Sequence, residues 1–171
     1  TQELQLEIPA GNGVILQAQS VSSYPPTLPM MKTFMAVLRG KWTEPLSNGV
    51  HLVWLAGLLS VLYFTLRRFF DPLLCALGVY ALVSLPLVMI HGSNPYAEIF
   101  VAAHVLVAAS ALLGLRRALT NEEALPWTRL FFLTLGLLAL TKNEGLIIHT
   151  SLLLLISVII TVQKRTLIES V

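Results

Sequence analysis

The chain has 171 residues, of which 56% are hydrophobic and 12% are charged, and its formal net charge is +2. Soluble domains contain about 25% charged residues, so this composition excludes an ordinary soluble domain, a disordered tail and a nucleic-acid-binding protein. It predicts an all-α, polytopic helical membrane protein whose partner is the lipid bilayer. The single cysteine, Cys75, leaves no intrachain disulfide.

Residues 1–49 form an extramembrane loop segment, since they are rich in glycine and proline and hold no long apolar run. A helix start is predicted at residues 27–29, where a proline fits the first turn. Four apolar residues then recur at helical spacing: Met31, Phe34, Met35 and Leu38. This face predicts a short amphipathic helix on the membrane surface, and a helix packed on a protein core is the open alternative.

Residues 50–171 form the transmembrane region. Five apolar runs are separated by charged turns, at 50–66, 72–90, 99–115, 127–141 and 146–162. A full span needs about 17–25 residues, so the fourth run is marginal. Asp71 is the predicted N-cap of the second run, and Pro86 is a predicted kink within it.

The basic residues predict the orientation of the chain. If all five runs cross the membrane, most of these residues fall on one side: Arg67, Arg68, Arg116, Arg117, Arg129, Lys164 and Arg165. The positive-inside rule makes that side cytoplasmic. We therefore expect a multi-pass protein of a prokaryotic plasma membrane, with the N-terminal segment and the turns at 91–98 and 141–145 outside.

Glu98 lies at the outer start of the third run, where an ionisable residue at membrane depth is a functional candidate. One interpretation is structural: Asn94 caps the helix, Pro95 is its first residue, and Glu98 complements the positive end of the helix dipole. The other is catalytic. Glu98 then binds a divalent cation, Mg²⁺ or Mn²⁺, or steers a phosphate-bearing substrate through one, because hard cations favour oxygen ligands.

A second outer turn holds Lys142 and Glu144. Residues 141–144 read T-x-x-E, which is a capping box and explains Glu144 structurally. Lys142 is not explained in this way, because it is a cation on the side where loops usually lack them. An ammonium beside a helix N-terminus makes a good anion site, so this pair is a candidate contact for a lipid phosphate.

Several short motifs resemble the GT-C class of membrane glycosyltransferases, in particular the dolichyl- or polyprenyl-phosphate-sugar-dependent mannosyltransferases and the aminoarabinose transferases. Residues 24–29 followed by 40–44 resemble the "YPP-L-P … G-W-E" end of that family's first outer loop. Residues 94–98 are similar to its "GYAD/E" helix start, and residues 140–145 to its "L-[ST]-K-x-E/P-G" turn. The resemblance spans about residues 20–165.

The resemblance implies an enzyme that transfers a hexose or pentose from a polyprenyl-phosphate carrier, with inversion, on the outer or lumenal face. Glu98 matches the family's second acidic position. The family's general base is an aspartate after the first transmembrane helix, and both would precede residue 1. The sequence therefore predicts a partial chain, inactive in isolation, and sugar transfer by residues 1–171 alone would contradict this.

In the enzyme interpretation, further residues at the outer helix ends bind the substrate. Tyr24, Tyr96 and Trp42 are candidates to bound the sugar, although aromatic residues also serve as interfacial anchors. Glu44 and His91 complete the candidate set for substrate binding. The competing hypothesis is a non-enzymatic polytopic membrane protein, either a transporter fragment or a subunit of an envelope complex.

Overall fold

The computed structural model describes residues 7–9, 15–17, 25, 27–94 and 96–169. Within these ranges, side chains are described from residue 25 to residue 163, and only the backbone is described for the two strands and for residues 164–169. The strands β1 (Glu7–Pro9) and β2 (Ile15–Gln17) pair in antiparallel register. The other elements are helical: α1 (Thr27–Arg39), α2 (Glu44–Leu66), α3 (Pro72–Val83), α4 (Pro86–Ser93), α5 (Glu98–Arg117), α6 (Asn121–Thr141), the π-helix π1 (Gly145–Thr150) and α7 (Ser151–Glu169).

Four helical segments in the described chain are long and apolar enough to cross a membrane. They are α2, α5, α6 and the stretch Gly145–Gln163 of π1 and α7. The pair α3–α4 is apolar enough as well but is bent by 73°, so the number of spans is five if this pair counts as one. The all-α polytopic class is therefore confirmed, and the fold fits a multi-pass membrane protein.

Helix α5 is the centre of the bundle, because α2, α4, α6 and α7 all pack against it. Its face towards α6 carries the small residues Ala108 and Ala111, which are fully buried and let the two helices approach closely. Its first turns pack on α2, where the ring of Phe100 lies 5.0 Å from that of His51 and 4.9 Å from that of Trp54. This packing fixes the start of α5, and with it Glu98.

The outward faces of α2, α3, α6 and α7 remain apolar. Large side chains stand exposed along them, including Phe64, Leu73, Leu133 and Leu155. An apolar surface of this extent on a soluble protein would promote aggregation. On a bundle whose backbone hydrogen bonds are closed within its helices, such a surface fits a membrane-spanning protein.

Helix α1 packs on the protein core with part of its apolar face, and its placement on a membrane surface stays a prediction. Leu28 and Met31 pack on the cluster between α2 and α5, whereas the side chains of Phe34 and Leu38 are 61% and 67% exposed. Lys32 lies on the protein side, where its Nζ donates a hydrogen bond to Asn48 Oδ1 at 3.0 Å. Burial there lowers the pKa of the Lys32 ammonium.

Two helices begin six residues earlier than the apolar runs that predicted them. Helix α2 starts at Glu44, so it crosses the expected boundary between 1–49 and 50–171. Helix α6 starts at Asn121 rather than at 127, because Thr120 Oγ1 accepts a hydrogen bond from Glu123 N at 3.2 Å. The fourth run is thereby a helix of 21 residues, long enough for a full span.

The run 72–90 forms two helices rather than one kinked helix. Asp71 caps α3 as predicted, since its Oδ1 accepts from Leu73 N at 2.9 Å and from Leu74 N at 3.0 Å. Pro86 begins α4 after Leu85 adopts an extended conformation. Proline has no N–H and clashes with the preceding turn, so the helix ends there and a new one begins at an angle.

Candidate functional site

The two ends of the bundle differ in their charged residues. We call the end where α5 begins at Glu98 and α6 ends at Thr141 the glutamate end. We call the opposite end, where Arg67 follows α2 and Arg117 closes α5, the arginine end. Arg117 Nη1 donates to the backbone carbonyl of Arg68 at 3.4 Å, so the arginines of both helices do lie at one end, as predicted.

Four candidate residues meet at the glutamate end, and we call them the glutamate cluster: His91, Glu98, Lys142 and Glu144. Lys142 Nζ lies 2.8 Å from Glu98 Oε1 and 3.9 Å from Glu144 Oε1. His91 Nδ1 lies 3.5 Å from Glu98 Oε2. Three separate parts of the sequence thus converge on one carboxylate.

The turn between α4 and α5 places His91 and Glu98. Asn94 ends α4, because its Nδ2 donates to the carbonyl of Ile90 at 2.8 Å. Helix α5 begins at Glu98 itself, with Ala97 as its N-cap residue. The expectation that Asn94 caps α5 is therefore wrong, since its side chain is engaged by the helix before it. Glu98 still lies in the first turn, where its charge complements the helix dipole.

The turn between α6 and π1 places Lys142 and Glu144. Thr141 is the last residue of α6, and its Oγ1 donates to the carbonyl of Leu137 at 2.6 Å. The expected capping box at 141–144 is therefore not formed, because Thr141 still belongs to α6 and no described side chain caps the start of π1. Lys142 has extended backbone, and a Cβ on Gly145 would collide with the carbonyl oxygen of Leu138. Glycine thus permits the tight turn that directs Lys142 towards α5.

The carboxylate of Glu98 has two different surroundings. Its Oε1 accepts a hydrogen bond from Lys142, whose side chain is 20% exposed. Its Oε2 and the facing His91 Nδ1 are both out of contact with solvent, and neither has a hydrogen-bond partner in the described part of the chain. A buried polar atom without a partner is costly. The second oxygen is therefore available to a hydrogen-bond donor or to a positive charge.

Two clefts meet at Glu98, one on each side of α5. The apolar cleft, of about 380 Å³, lies between α5 and helices α2, α3 and α4, and leucines such as Leu58, Leu62 and Leu82 line it down from His91 and Glu98. The polar cleft, of about 310 Å³, lies between α5 and π1, and Lys142 and Glu144 line it. Glu98 thus lines both the apolar cleft and the polar cleft.

His149 also lines the polar cleft, although no sequence motif selects it. Its Nδ1 lies 3.0 Å from the backbone carbonyl of Glu144, five residues earlier. That offset fits the wide turn of a π-helix, which often marks a functional position. The sequence carries no paired-histidine pattern, so the only signal was the location of His149 near a helix end.

The other candidates have different surroundings. Tyr96 adjoins the glutamate cluster, since its ring centre lies 5.1 Å from that of His91. Trp42 is 59% exposed and Glu44 is exposed in the first turn of α2. The structure gives neither of them a contact with the glutamate cluster. Tyr24 lies outside the described residues.

The described residues of the glutamate cluster do not by themselves provide the ligands for a divalent cation. Within the described residues, no group of three histidine, cysteine, aspartate or glutamate side chains is placed to hold a metal ion. The carboxylate of Glu98 is instead turned towards the Lys142 ammonium, which would repel a second cation. The expected Mg²⁺ or Mn²⁺ therefore stays a prediction, and we derive no chemical step from it.

The fold and the glutamate cluster together define a class: a multi-pass helical membrane protein with an ion-paired cluster at one end of its bundle. No protein-family model, curated protein or solved structure matches the chain. Its function must therefore be argued from the glutamate cluster and the clefts beside it.

Proposed function

We propose that this protein belongs to an integral-membrane glycosyltransferase that moves a sugar from a polyprenyl-phosphate carrier to an acceptor on the outer face of the membrane. The observation that carries the proposal is the ion pair of Glu98 and Lys142, which joins the apolar cleft to the polar one. A polyprenyl-phosphate sugar has three parts in the same order: an apolar hydrocarbon chain, an anionic phosphate and a polar sugar.

The charges of this pair match those that develop during sugar transfer. As the bond between the anomeric carbon and the phosphate oxygen breaks, an acceptor hydroxyl bonds to the opposite face of that carbon and loses its proton to the general base that the family resemblance implies. During this step the sugar ring gains positive charge and the leaving phosphate gains negative charge. Lys142 provides the cation for the phosphate, and Glu98 Oε2 provides a carboxylate oxygen for the sugar. Fixed charges aimed at developing charges lower the barrier without reorganisation.

The clefts supply the binding sites that such a reaction requires. The leucine-lined cleft accepts the first isoprene units of the carrier, and the carrier's phosphate then lies at the end of this cleft, against the Lys142 ammonium beside Glu98. The polar cleft holds Lys142, Glu144 and His149 for hydrogen bonds with a sugar. Glu98 is catalytic in this scheme, because it faces the reacting centre from between the two clefts.

Replacing Glu98 by glutamine tests the proposal, since it keeps the shape of the side chain and removes its charge. We expect the rate of sugar transfer from a polyprenyl-phosphate donor to fall about a hundredfold in the full-length protein, the usual effect of losing one preorganised electrostatic group. Glu122→Gln is the matched control, because Glu122 is exposed in the first turn of α6 at the arginine end. Unchanged turnover in a folded Glu98→Gln variant would contradict the proposed role.

A transporter is the second candidate, and the break between α3 and α4 favours it. Discontinuous helices with a sharp bend, here 73°, often form the substrate sites of secondary transporters. Reconstitution in proteoliposomes separates the two functions. A transporter would accumulate a labelled solute in vesicles that contain no lipid-linked sugar, whereas a transferase would label its acceptor only when that donor is present.

A further inference from the structure

A third groove lies at the arginine end, away from the glutamate cluster. Helices α2 and α6 both pack against α5, and between them runs a groove of about 240 Å³ with α5 as its floor. Its walls are mainly apolar and include Val61, Phe64, Val107 and Leu130. Arg68 closes one end of it, so the groove is an apolar channel that ends at a positive charge.

Arg68 is held across the mouth of this groove. The central carbon of its guanidinium lies 4.6 Å from the centre of the Trp127 ring on α6, and Nη1 donates to the carbonyl of Ser110 at 3.3 Å. Gly114 makes the arrangement possible, because a Cβ there would collide with the Trp127 indole. Most of the five guanidinium donors of Arg68 remain available for an anion, since the described structure shows an acceptor for one of them.

The charge around the groove is positive and uncompensated. No arginine has a carboxylate within 4.0 Å in the part of the chain that the structure describes. Two of the nearby acids serve the backbone instead: Asp71 caps α3, and Glu123 Oε2 accepts from Leu119 N at 2.9 Å. The third, Glu122, is exposed in the first turn of α6. Arg117 rests over the ring of Phe69 at 4.2 Å. At a membrane surface, the anions that balance such a cluster are lipid phosphates.

We propose that this groove is a binding site for one anionic phospholipid, with its headgroup phosphate on Arg68 and an acyl chain between α2 and α6. Three observations support this occupant: the apolar lining, the arginine fixed at the groove's end, and the absence of compensating carboxylates in the described residues. A neutral lipid would also fill the apolar part, but the positive charge of its own headgroup already balances its phosphate. It would therefore gain less from Arg68. The proposed lipid is structural and separate from the sugar carrier.

Lipid retention by the purified full chain tests the proposal. The protein is equilibrated in detergent with equal amounts of phosphatidylglycerol and phosphatidylcholine, and bound lipid is counted by native mass spectrometry. We expect a clear preference for phosphatidylglycerol and about a fivefold loss of it in Arg68→Gln, the usual effect of one basic residue at an anionic surface. Arg129→Gln removes the same charge from an exposed position outside the groove and is expected to change retention less than twofold.

A second variant keeps the charge and blocks the groove. Ser60 is exposed at the groove's wall, and its hydroxyl bonds only within its own helix, to Ala56 O at 2.8 Å, so Ser60→Trp leaves the packing intact. This variant is expected to lose phosphatidylglycerol although Arg68 is present. Equal retention of the two lipids by the wild-type chain, or equal effects of Arg68→Gln and Arg129→Gln, would overturn the proposal.

Discussion

The glutamate end and the arginine end of the same bundle balance their charges in different ways. At the glutamate end, Lys142 lies within 4 Å of two carboxylates, so opposite charges meet inside the protein. At the arginine end, Arg68 and Arg117 rest on aromatic rings and backbone carbonyls instead. Charges near a bilayer require partners. One end therefore carries its partners within the chain, and the other takes them from its surroundings.

Each end also depends on one glycine that permits a close contact. At the glutamate end, Gly145 lies against the carbonyl oxygen of Leu138. At the arginine end, Gly114 lies against the indole of Trp127. A backbone carbonyl cannot move without disturbing its helix, whereas a side chain can rotate. The two glycines should therefore respond differently to the same added methyl group.

Gly145→Ala is expected to have the larger effect of the two. It should lower the free energy of unfolding by about 2–3 kcal/mol, because the methyl group must displace the end of α6. Thermal unfolding in detergent measures this. Gly136→Ala in α6 is the control, since a Cβ there meets nothing within 4 Å and helix propensity alone favours alanine. Equal unfolding free energies of the two variants would contradict the claim that the turn at Gly145 leaves no room for a methyl group.

Gly114→Ala should lower the free energy of unfolding by about 1–2 kcal/mol, less than Gly145→Ala, because Trp127 can rotate away. The displaced indole then no longer supports Arg68, so phosphatidylglycerol retention should fall as well. Gly57→Ala on α2 serves as the control, since nothing lies within 4 Å of a Cβ at that position. A loss of stability without any change in lipid retention would show that Trp127 does not contribute to lipid binding.

The buried hydroxyl pair at the arginine end should contribute less. Thr65 Oγ1 donates to Ser110 Oγ at 2.9 Å between α2 and α5. Thr65→Val leaves the serine without this partner and should cost about 1 kcal/mol in the unfolding free energy. Thr161→Val is a suitable comparison, because its hydroxyl bonds to Ser157 O within one helix turn. If both variants have the same unfolding free energy, the hydrogen bond between Thr65 and Ser110 adds nothing to stability.

The ion pair at the glutamate end should contribute least to stability. The side chain of Glu98 is 42% exposed, so solvent screens the pair and Lys142→Met should cost only about 0.5–1 kcal/mol in the unfolding free energy. The same variant should lose most of the sugar-transfer activity, because the leaving phosphate loses its cation. A large drop in melting temperature with unchanged transfer would reverse this assignment and make the pair structural.

The order of the apolar helices could be predicted from the sequence, but the break of the run 72–90 into two helices and the starts of α2 and α6 could not. The pattern T-x-x-E precedes two of the apolar runs, at 120–123 and at 141–144. Only the first caps a helix, because Thr141 continues α6 and its hydroxyl bonds to Leu137. Apolar runs also miss polar first turns, which is why α2 and α6 begin before their runs.

The membership of the glutamate cluster could be predicted in part. Placing the turns on alternate sides of the membrane brings His91, Glu98, Lys142 and Glu144 to one end, and the structure confirms that placement. The ion pair itself could not be predicted, because it depends on the turn that Gly145 permits. His149 was missed for the same kind of reason, since a π-helix has no simple sequence pattern.

The most direct test of the central claim is to measure sugar transfer and thermal unfolding together for Glu98→Gln. The claim is that the glutamate end performs chemistry and does not merely hold the helices together. We predict that transfer from a polyprenyl-phosphate donor falls about a hundredfold while the melting temperature stays close to that of the wild type. Wild-type transfer by the folded variant, or a fall that only matches its loss of folded protein, would contradict the claim.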